Sequence, residues 1–499
     1  MIGKGIAGTS LALLLFTVAS RIMGMLREVL LASEIGMNAY TDAFNISQSG
    51  ITLMTAIIGA TCLSLVPLLL RSEKQSPERR DQVFTSLFCI YMLVSLVVAI
   101  ALTLFSENIC SFLGPSLSDD AQVLAGNLLR IGFFKINFVM ASTMFSYYLQ
   151  SRSIFIASSL SLFLGNCTVV ALLLLMPSPS IYDYTFFTVV GLGVQPLVLL
   201  VPVLRVGYRP RIRKLFEVKA MRYLLIASMP FMASMLFFEI QTMAGRAVAT
   251  SLGDGVTSSL DYAYKLVQMM CACVTMSLNT ILFTKFSALA VKGELRETSR
   301  LLMLGGRVQF LLIAPAVLIM CFFGEPLIAL VFQRGEFTAY DTHVVNLALR
   351  GYLLCIWPYV FCDLFTRFFV SIEKYKVVNI TCAISYIISL SLIYPLSRCL
   401  GVFGISFSFT IAQIIMLVSY IVYIGKDNNG KYVKKIISSL ASWRDAIPLC
   451  ILFVLLECFL MVIPESNHLP ALGASCLAYI FYIAAMKLCG VRIALSDID

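Results

Sequence analysis

Ser20-Arg21-Ile22-Met23-Gly24-Met25-Leu26-Arg27-Glu28 decides how this chain is read, because it sets two arginines inside the first long apolar segment. An ionised side chain at bilayer depth costs at least ~2.5–3.5 kcal/mol, so intramembrane arginines face a bundle interior or a wet cavity and meet an anion there. On an α-helix the six-residue spacing of Arg21 and Arg27 is roughly 9 Å of rise and about 120° of rotation, which lets both line one cavity at two depths. Gly24, between them, permits a bend or a close backbone approach, and Glu28 and Asp42 are near enough in sequence to serve as counter-charges. Snorkelling of Arg27 and Glu28 to the interface is the competing reading, and it is weaker for Arg21, which is further from either end of the segment.

Composition agrees with a membrane setting. The chain has 499 residues, 59% hydrophobic and 13% charged, with a mean hydropathy of +0.90, far from the range of water-soluble domains. The apolar run after Lys4 continues through both arginines to about Ser33 with no small-residue cleavage site, so it reads as a retained first transmembrane helix. The net charge of +10 lies mainly in short loops, which points to membrane orientation and away from nucleic acid. The fifteen cysteines fall mostly in apolar segments as small buried hydrophobes, and with only His343 and His468 available no metal or cofactor is expected. The sequence holds no Walker loop, no intramembrane His-x-x-x-Asp and no serviceable Ser/His/Asp set, so an enzyme is not expected either.

Apolar windows of about twenty residues predict fourteen transmembrane helices. They lie near 6–33, 40–70, 84–106, 121–149, 154–176, 184–206, 221–251, 256–290, 305–332, 340–371, 376–397, 402–425, 445–463 and 469–489. The even-numbered connections carry the basic residues, among them Arg71, Lys74, Arg79, Arg80, Arg152, Arg209, Arg211, Arg213, Lys214, Lys292, Arg300, Lys374, Lys376 and Lys431. The odd-numbered connections are almost bare of them and hold Glu34, Glu107, Asp119, Asp120, Asp183 and Asp254, so both termini are expected in the cytoplasm.

An internal repeat emerges when the halves are set side by side. Phe105-Ser106-Glu107 followed by Leu128-Leu129-Arg130-Ile131-Gly132 resembles Phe323-Gly324-Glu325 followed by Ala348-Leu349-Arg350-Gly351. Six helices per half give both halves the same orientation, as in transporters built from parallel repeats. The expected architecture is an all-α polytopic membrane protein with two six-helix lobes around a central cavity and two C-terminal helices outside the repeat. The expected divisions are 1–206 for the N-lobe, 207–220 for a basic cytoplasmic linker, 221–425 for the C-lobe, 426–444 for a second basic linker and 445–489 for the last two helices. The first linker is also a candidate contact for anionic membrane lipids.

Ionisable residues in or near the spans include Asp42, Arg130, Lys135, Glu239, Arg246, Asp261, Lys265, Arg350, Asp363, Arg367 and Glu457, with cations in excess. Asp261 with Lys265 and Asp363 with Arg367 have the spacing of self-pairing helical neighbours. If the surplus faces a cavity, the ligand is an anion, and a diphosphate or a carboxylate suits the forked donors of arginine. A cation-coupled drug exporter would more naturally show carboxylates there.

The residues also carry a family resemblance. Ser20-Arg21-Ile22-x-Gly24-x-x-Arg27-Glu28, then Ala32, Gly36, Thr41-Asp42-Ala43-Phe44, Gly59-Ala60 and Val66-Pro67, resembles the opening of the MurJ (MviN) lipid II flippases. The run Phe332-Gln333-Arg334-Gly335-Glu336-Phe337-Thr338 with Asp341 resembles the loop between that family's ninth and tenth helices and is its most specific piece. The resemblance implies the MOP exporter fold and translocation of lipid II, the undecaprenyl-diphosphate-linked peptidoglycan precursor, to the outer leaflet of the bacterial inner membrane by alternating access. It implies substrate contact by Arg21, Arg27, Asp42 and Lys265; Gly24, by its place between the two arginines, joins them as a candidate, and Arg130, Lys135, Glu239, Arg246 and Arg350 are candidate accessory cavity charges by their place in or near the spans. The last two helices become a candidate groove for the prenyl tail, and cell-wall synthesis enzymes become candidate partners.

Three departures from the family pattern stand out. Lys265 replaces the usual arginine and loses its fork; Ser49-Gly50-Ile51-Thr52-Leu53-Met54-Thr55 lacks the Pro-Asn-x-x-Arg-Arg segment; and Arg246 lies where some members hold an acidic residue of a sodium site. Competing readings are an exporter of another polyprenyl-linked saccharide, a multidrug exporter of the same fold, and a non-transporting membrane scaffold for cell-wall enzymes.

Overall fold

The computed structural model describes residues 2–211, 217–291, 294–427, 443–462 and 468–488, and the described residues are helical with no strand. The second basic linker lies almost wholly outside the described residues, as do residues 212–216 of the first. The chain divides into two compact units, Met1–Ser258 and Ser259–Asp499.

The first unit holds α1 (Ile2–Ile35), α2 (Ala39–Thr61), a 3-10 turn at Cys62–Ser64, α3 (Leu65–Glu73), α4 (Pro77–Leu104), α5 (Ser106–Leu113), α6 (Asp119–Ile131), α7 (Phe134–Ser151), α8 (Ile156–Leu175), α9 (Ile181–Arg205) and α10 (Val218–Ala249). Each boundary has a local cause. Gly36, at φ +74°, stops α1. Asn38 caps α2, its Oδ1 accepting the Tyr40 and Thr41 N–H groups at 2.9 and 3.2 Å, and Ser76 caps α4 ahead of Pro77. Helix α10 packs against α2 within this unit.

The basic loop after α3 is neutralised locally. Arg80, buried, donates to Glu73 at 2.9 Å and to Asp81 at 2.8 Å; Tyr148 donates to Asp81 at 2.8 Å, and Arg152 pairs with Glu73. The start of the first linker joins this cluster: the Arg209 N–H reaches Asp81 Oδ2 at 3.3 Å, Arg211 pairs with Glu78 at 2.9 Å, and Arg79 forks onto Glu217. Phe84, Tyr148 and Tyr208 pack directly above it, with ring centroids 4.6 and 5.3 Å from that of Phe84.

The second unit holds α12 (Leu295–Phe332), α13 (Ala339–Leu353), α14 (Ile356–Ser371), α15 (Tyr375–Asp427), α16 (Trp443–Val462) and α17 (His468–Leu488), while α11 (Val256–Val291) begins just before the boundary. The two spans predicted at 376–397 and 402–425 form one helical run that turns at Gly401, whose φ of +59° and ψ of −137° a side chain would resist. The motif 332–341 builds the entry to α13: Gly335 takes φ +57°, Thr338 caps the helix, and Asp341 returns a bond to the Thr338 N–H at 2.7 Å.

The repeat is visible in the backbone. Phe105, between α4 and α5, has φ −102° and ψ 18°, and Phe323, which breaks α12, has φ −112° and ψ 22°. Further on, α6 and α7 meet at 42°, and α13 and α14 at 47°. The two copies differ in setting: Phe105 is 59% exposed, whereas Phe323 is 1% exposed and clusters with Leu452, Leu456 and Ala471 of the last two helices.

Among the described residues, seven helices are long and apolar enough to cross a membrane, nine when each bent pair counts as one span. This is the fold of a multi-pass membrane protein.

Candidate functional site

Five helices of the first unit converge on Arg27. Its Nη2 donates to Glu28 Oε1 at 2.7 Å and its Nη1 to Asn166 Oδ1 of α8 at 3.5 Å. The Arg27 side chain is 28% exposed and that of Glu28 6%, so the counter-charge is the adjacent Glu28, as its position in sequence allows. Tyr184 of α9 stands beside the same guanidinium, its ring edge-on to Phe44 of α2 at 5.2 Å.

Lys135 of α7 enters from the other side. It is 3% exposed, donates to Gln48 Oε1 of α2 at 2.8 Å, and holds its ammonium 5.5 Å from the centroid of the Phe44 ring. It is close enough to Arg27 for the two positive charges to repel. Arg27, Lys135 and Glu28 thus concentrate two cations and one carboxylate among apolar helices, an arrangement that an anion would relieve. Arg21, further toward the N-terminus of α1, is exposed and makes no ion pair among the described residues.

Asp42 is placed differently from its expected role as counter-charge. It is fully buried, and its carboxylate accepts the Gly255 N–H at 2.8 Å and the Ser258 N–H and hydroxyl at 2.8 and 2.7 Å. It therefore caps the first turn of α11, where a carboxylate meets unsatisfied N–H groups and the positive end of the helix dipole.

The accessory charges separate into distinct places. Arg246 of α10 donates to Ser49 of α2 at 2.7 Å, in the segment where the sequence lacks its own cation, and Glu239 lies near enough on α10 to attract it. Arg130 belongs to another region: its Nη2 pairs with Glu107 at 2.6 Å and its Nε donates to the buried Ser106 at 3.0 Å, the Arg130 and Glu107 side chains being exposed. Arg350, its counterpart in the repeat, is exposed at the end of α13, while Glu325, the counterpart of Glu107, accepts from Asn346 at 3.2 Å instead.

In the second unit, the ammonium of Lys265 lies 5.6 Å from the centroid of the Tyr262 ring, and Tyr262 packs on Phe332 and Phe337 at 5.1 and 6.0 Å. The most specific sequence motif therefore supports the helix turn that carries Lys265. Arg367 and Asp363 form the expected i, i+4 pair at 3.2 Å, extended by Asn279 and Gln309 into a polar seam through α11, α12 and α14.

Sequence reasoning missed Asn166. The signal was present, since an Asn within Leu162-Phe163-Leu164-Gly165-Asn166-Cys167 is an amide in an apolar helix that needs a partner on a neighbour.

Residues 31–469 match the sequence profile of the family described as lipid II flippase MurJ. Among curated proteins, the lipid II flippase MurJ of Burkholderia cenocepacia is 28% identical over 350 residues, covering 68% of each chain. A probable lipid II flippase MurJ of Buchnera aphidicola (subsp. Schizaphis graminum) is 28% identical over 384 residues, covering 74% of this chain and 73% of its own. Among solved structures, a lipid II flippase MurJ in an inward closed conformation superposes with a TM-score of 0.79 at 21% identity, covering 96% of this chain and all of that one. An inward-facing multidrug resistance MATE family transporter of the MOP superfamily superposes at 0.64 with 15% identity, over 82% of this chain and 99% of its own. These last two likenesses are of fold.

Proposed function

Because the chain belongs to the lipid II flippase MurJ family, we propose that it moves lipid II from the cytoplasmic to the outer leaflet of the bacterial inner membrane by alternating access, with both termini in the cytoplasm. The observation that carries this reading is that Arg27 and Lys135, two cations close enough to repel, are held in apolar helices with Glu28 paired to Arg27 alone. A diphosphate meets a prohibitive desolvation cost in hydrocarbon, and a cationic lining lowers it. Arg21 extends that lining in this reading, Lys265 supplies a further cation within the second unit, the chain is read as fourteen spans with two six-helix lobes, and Asp42 acts by capping the first turn of α11.

The prenyl tail needs no polar shelter. An apolar cavity of about 390 Å³ in the second unit, lined by Ala314, Val317, Leu318, Trp357, Leu449 and Phe453, sits between α12, α14 and α16 and suits it. Cell-wall synthesis enzymes, which supply and consume such a precursor, are the partners this reading expects.

The test is single replacement of Arg21, Arg27 and Lys265 by alanine, with lipid II translocation followed in spheroplasts. Each should reduce translocation by about tenfold or more, a charge-assisted hydrogen bond being worth ~1.5–3 kcal/mol. Variants that translocate and support growth like the parent would leave a scaffold role in its place.

A further inference from the structure

Thr17, Ser20, Gly24 and Arg27 recur at intervals of three, four and three, so they share one face of α1. That face lies on α8. The Thr17 and Ser159 hydroxyls are 3.0 Å apart, and seven residues after Ser159, on the same side of α8, Asn166 spans the rest of the seam. Its Nδ2 donates to the Ser20 carbonyl at 3.1 Å and lies 3.3 Å from the Ser20 hydroxyl, while its Oδ1 accepts from Arg27 Nη1 at 3.5 Å. One amide thus grips α1 on both sides of Gly24, where a Cβ would already touch Nδ2 at 3.5 Å and any longer side chain would press on it.

The contact also has an electrostatic sense. Asn166 orients the guanidinium without neutralising it, which a carboxylate at the same place would do. With Nη1 on Asn166, Nη2 on Glu28 and Tyr184 beside the guanidinium, Arg27 Nε is buried with no hydrogen-bond partner among the described residues. An orphaned, buried, charged donor is costly in an unliganded protein and is satisfied by an incoming oxyanion.

We propose that Asn166 is a positioning residue for substrate, holding Arg27 so that its Nε–H is presented to a phosphate oxygen of the anionic headgroup. The inference rests on the diphosphate-carrying function proposed above and adds to it a residue on a different helix, and a reason why that residue is a neutral amide.

The experiment uses the full chain reconstituted in lipid vesicles, with inorganic pyrophosphate as the headgroup probe and lipid II translocation as a second readout. Asn166→Ala should weaken pyrophosphate binding about tenfold, the loss of ~1.4 kcal/mol expected when one oriented charged donor is released. Asn166→Asp should weaken it further, because its carboxylate competes with phosphate for Arg27. In an Arg27→Ala background, Asn166→Ala should change binding less than twofold, whereas in an Arg21→Ala background the tenfold effect should persist. Melting temperatures of all variants show that each is folded. A wild type that neither binds pyrophosphate nor moves lipid II overturns the functional reading itself. A wild type that moves lipid II, but in which pyrophosphate goes unbound or Asn166→Ala costs the same with and without Arg27, overturns only the role of Asn166.

Discussion

Asp42 and Ser258, 216 residues apart, are joined twice: one carboxylate oxygen accepts both the backbone N–H and the hydroxyl of Ser258, at 2.8 and 2.7 Å. The other oxygen holds the Gly255 N–H at 2.8 Å, so the buried charge is spent on the first turn of α11. Asp42→Ala should therefore act through stability, lowering it by about 2 kcal/mol or more, since it removes a cap and leaves buried N–H groups unmet. Asp42→Asn, which keeps one acceptor oxygen, should fall between. Thermal unfolding of the purified protein checks this; an Asp42→Ala protein that melts like wild type yet loses pyrophosphate binding would make Asp42 a ligand residue instead.

Arg130 should be dispensable for transport. Its partner Glu107 is largely exposed, and exposed pairs are worth at most ~1 kcal/mol. Arg130→Ala is expected to translocate lipid II within about twofold of wild type and to melt within a few degrees of it. A loss of translocation at unchanged stability would put Arg130 on the substrate path.

Gly165 and Gly191 let α8 and α9 touch through their backbones. A Cβ on Gly191 would lie 2.7 Å from the Gly165 carbonyl oxygen and 2.4 Å from a methyl of Val169. Gly191→Ala should cost about 1–3 kcal/mol from overpacking. Gly473→Ala, at a position with nothing among the described residues within 4 Å, should cost nothing and can gain up to about 1 kcal/mol from helix propensity. Paired melting curves of the two variants decide the matter, and equal behaviour would contradict the close packing of α8 on α9.

How much of this was legible in the sequence differs from residue to residue. Arg27 announced itself, because a charge in an apolar run is costly and must have a reason. The repeat was also legible, in Phe105-Ser106-Glu107 and Phe323-Gly324-Glu325, though not that each phenylalanine marks a break in a helix. What stayed hidden were relationships between distant positions. Nothing local to Asp42 says that its partner is Ser258, and nothing near Lys135 says that its ammonium rests on Gln48. Arg130 was illegible in another way, since a cation near the end of an apolar window looks the same whether it faces a substrate or an exposed glutamate.

The matched corners at Phe105 and Phe323 bear on ancestry. A bend kept at equivalent places, while the residues around it diverged, is the mark of a gene doubled and fused. The two rings now differ in cover: Phe105 stands bare, whereas Phe323 is hidden beneath the two terminal helices. Those helices thus shield a corner that its twin leaves open, which breaks the symmetry of the doubled plan.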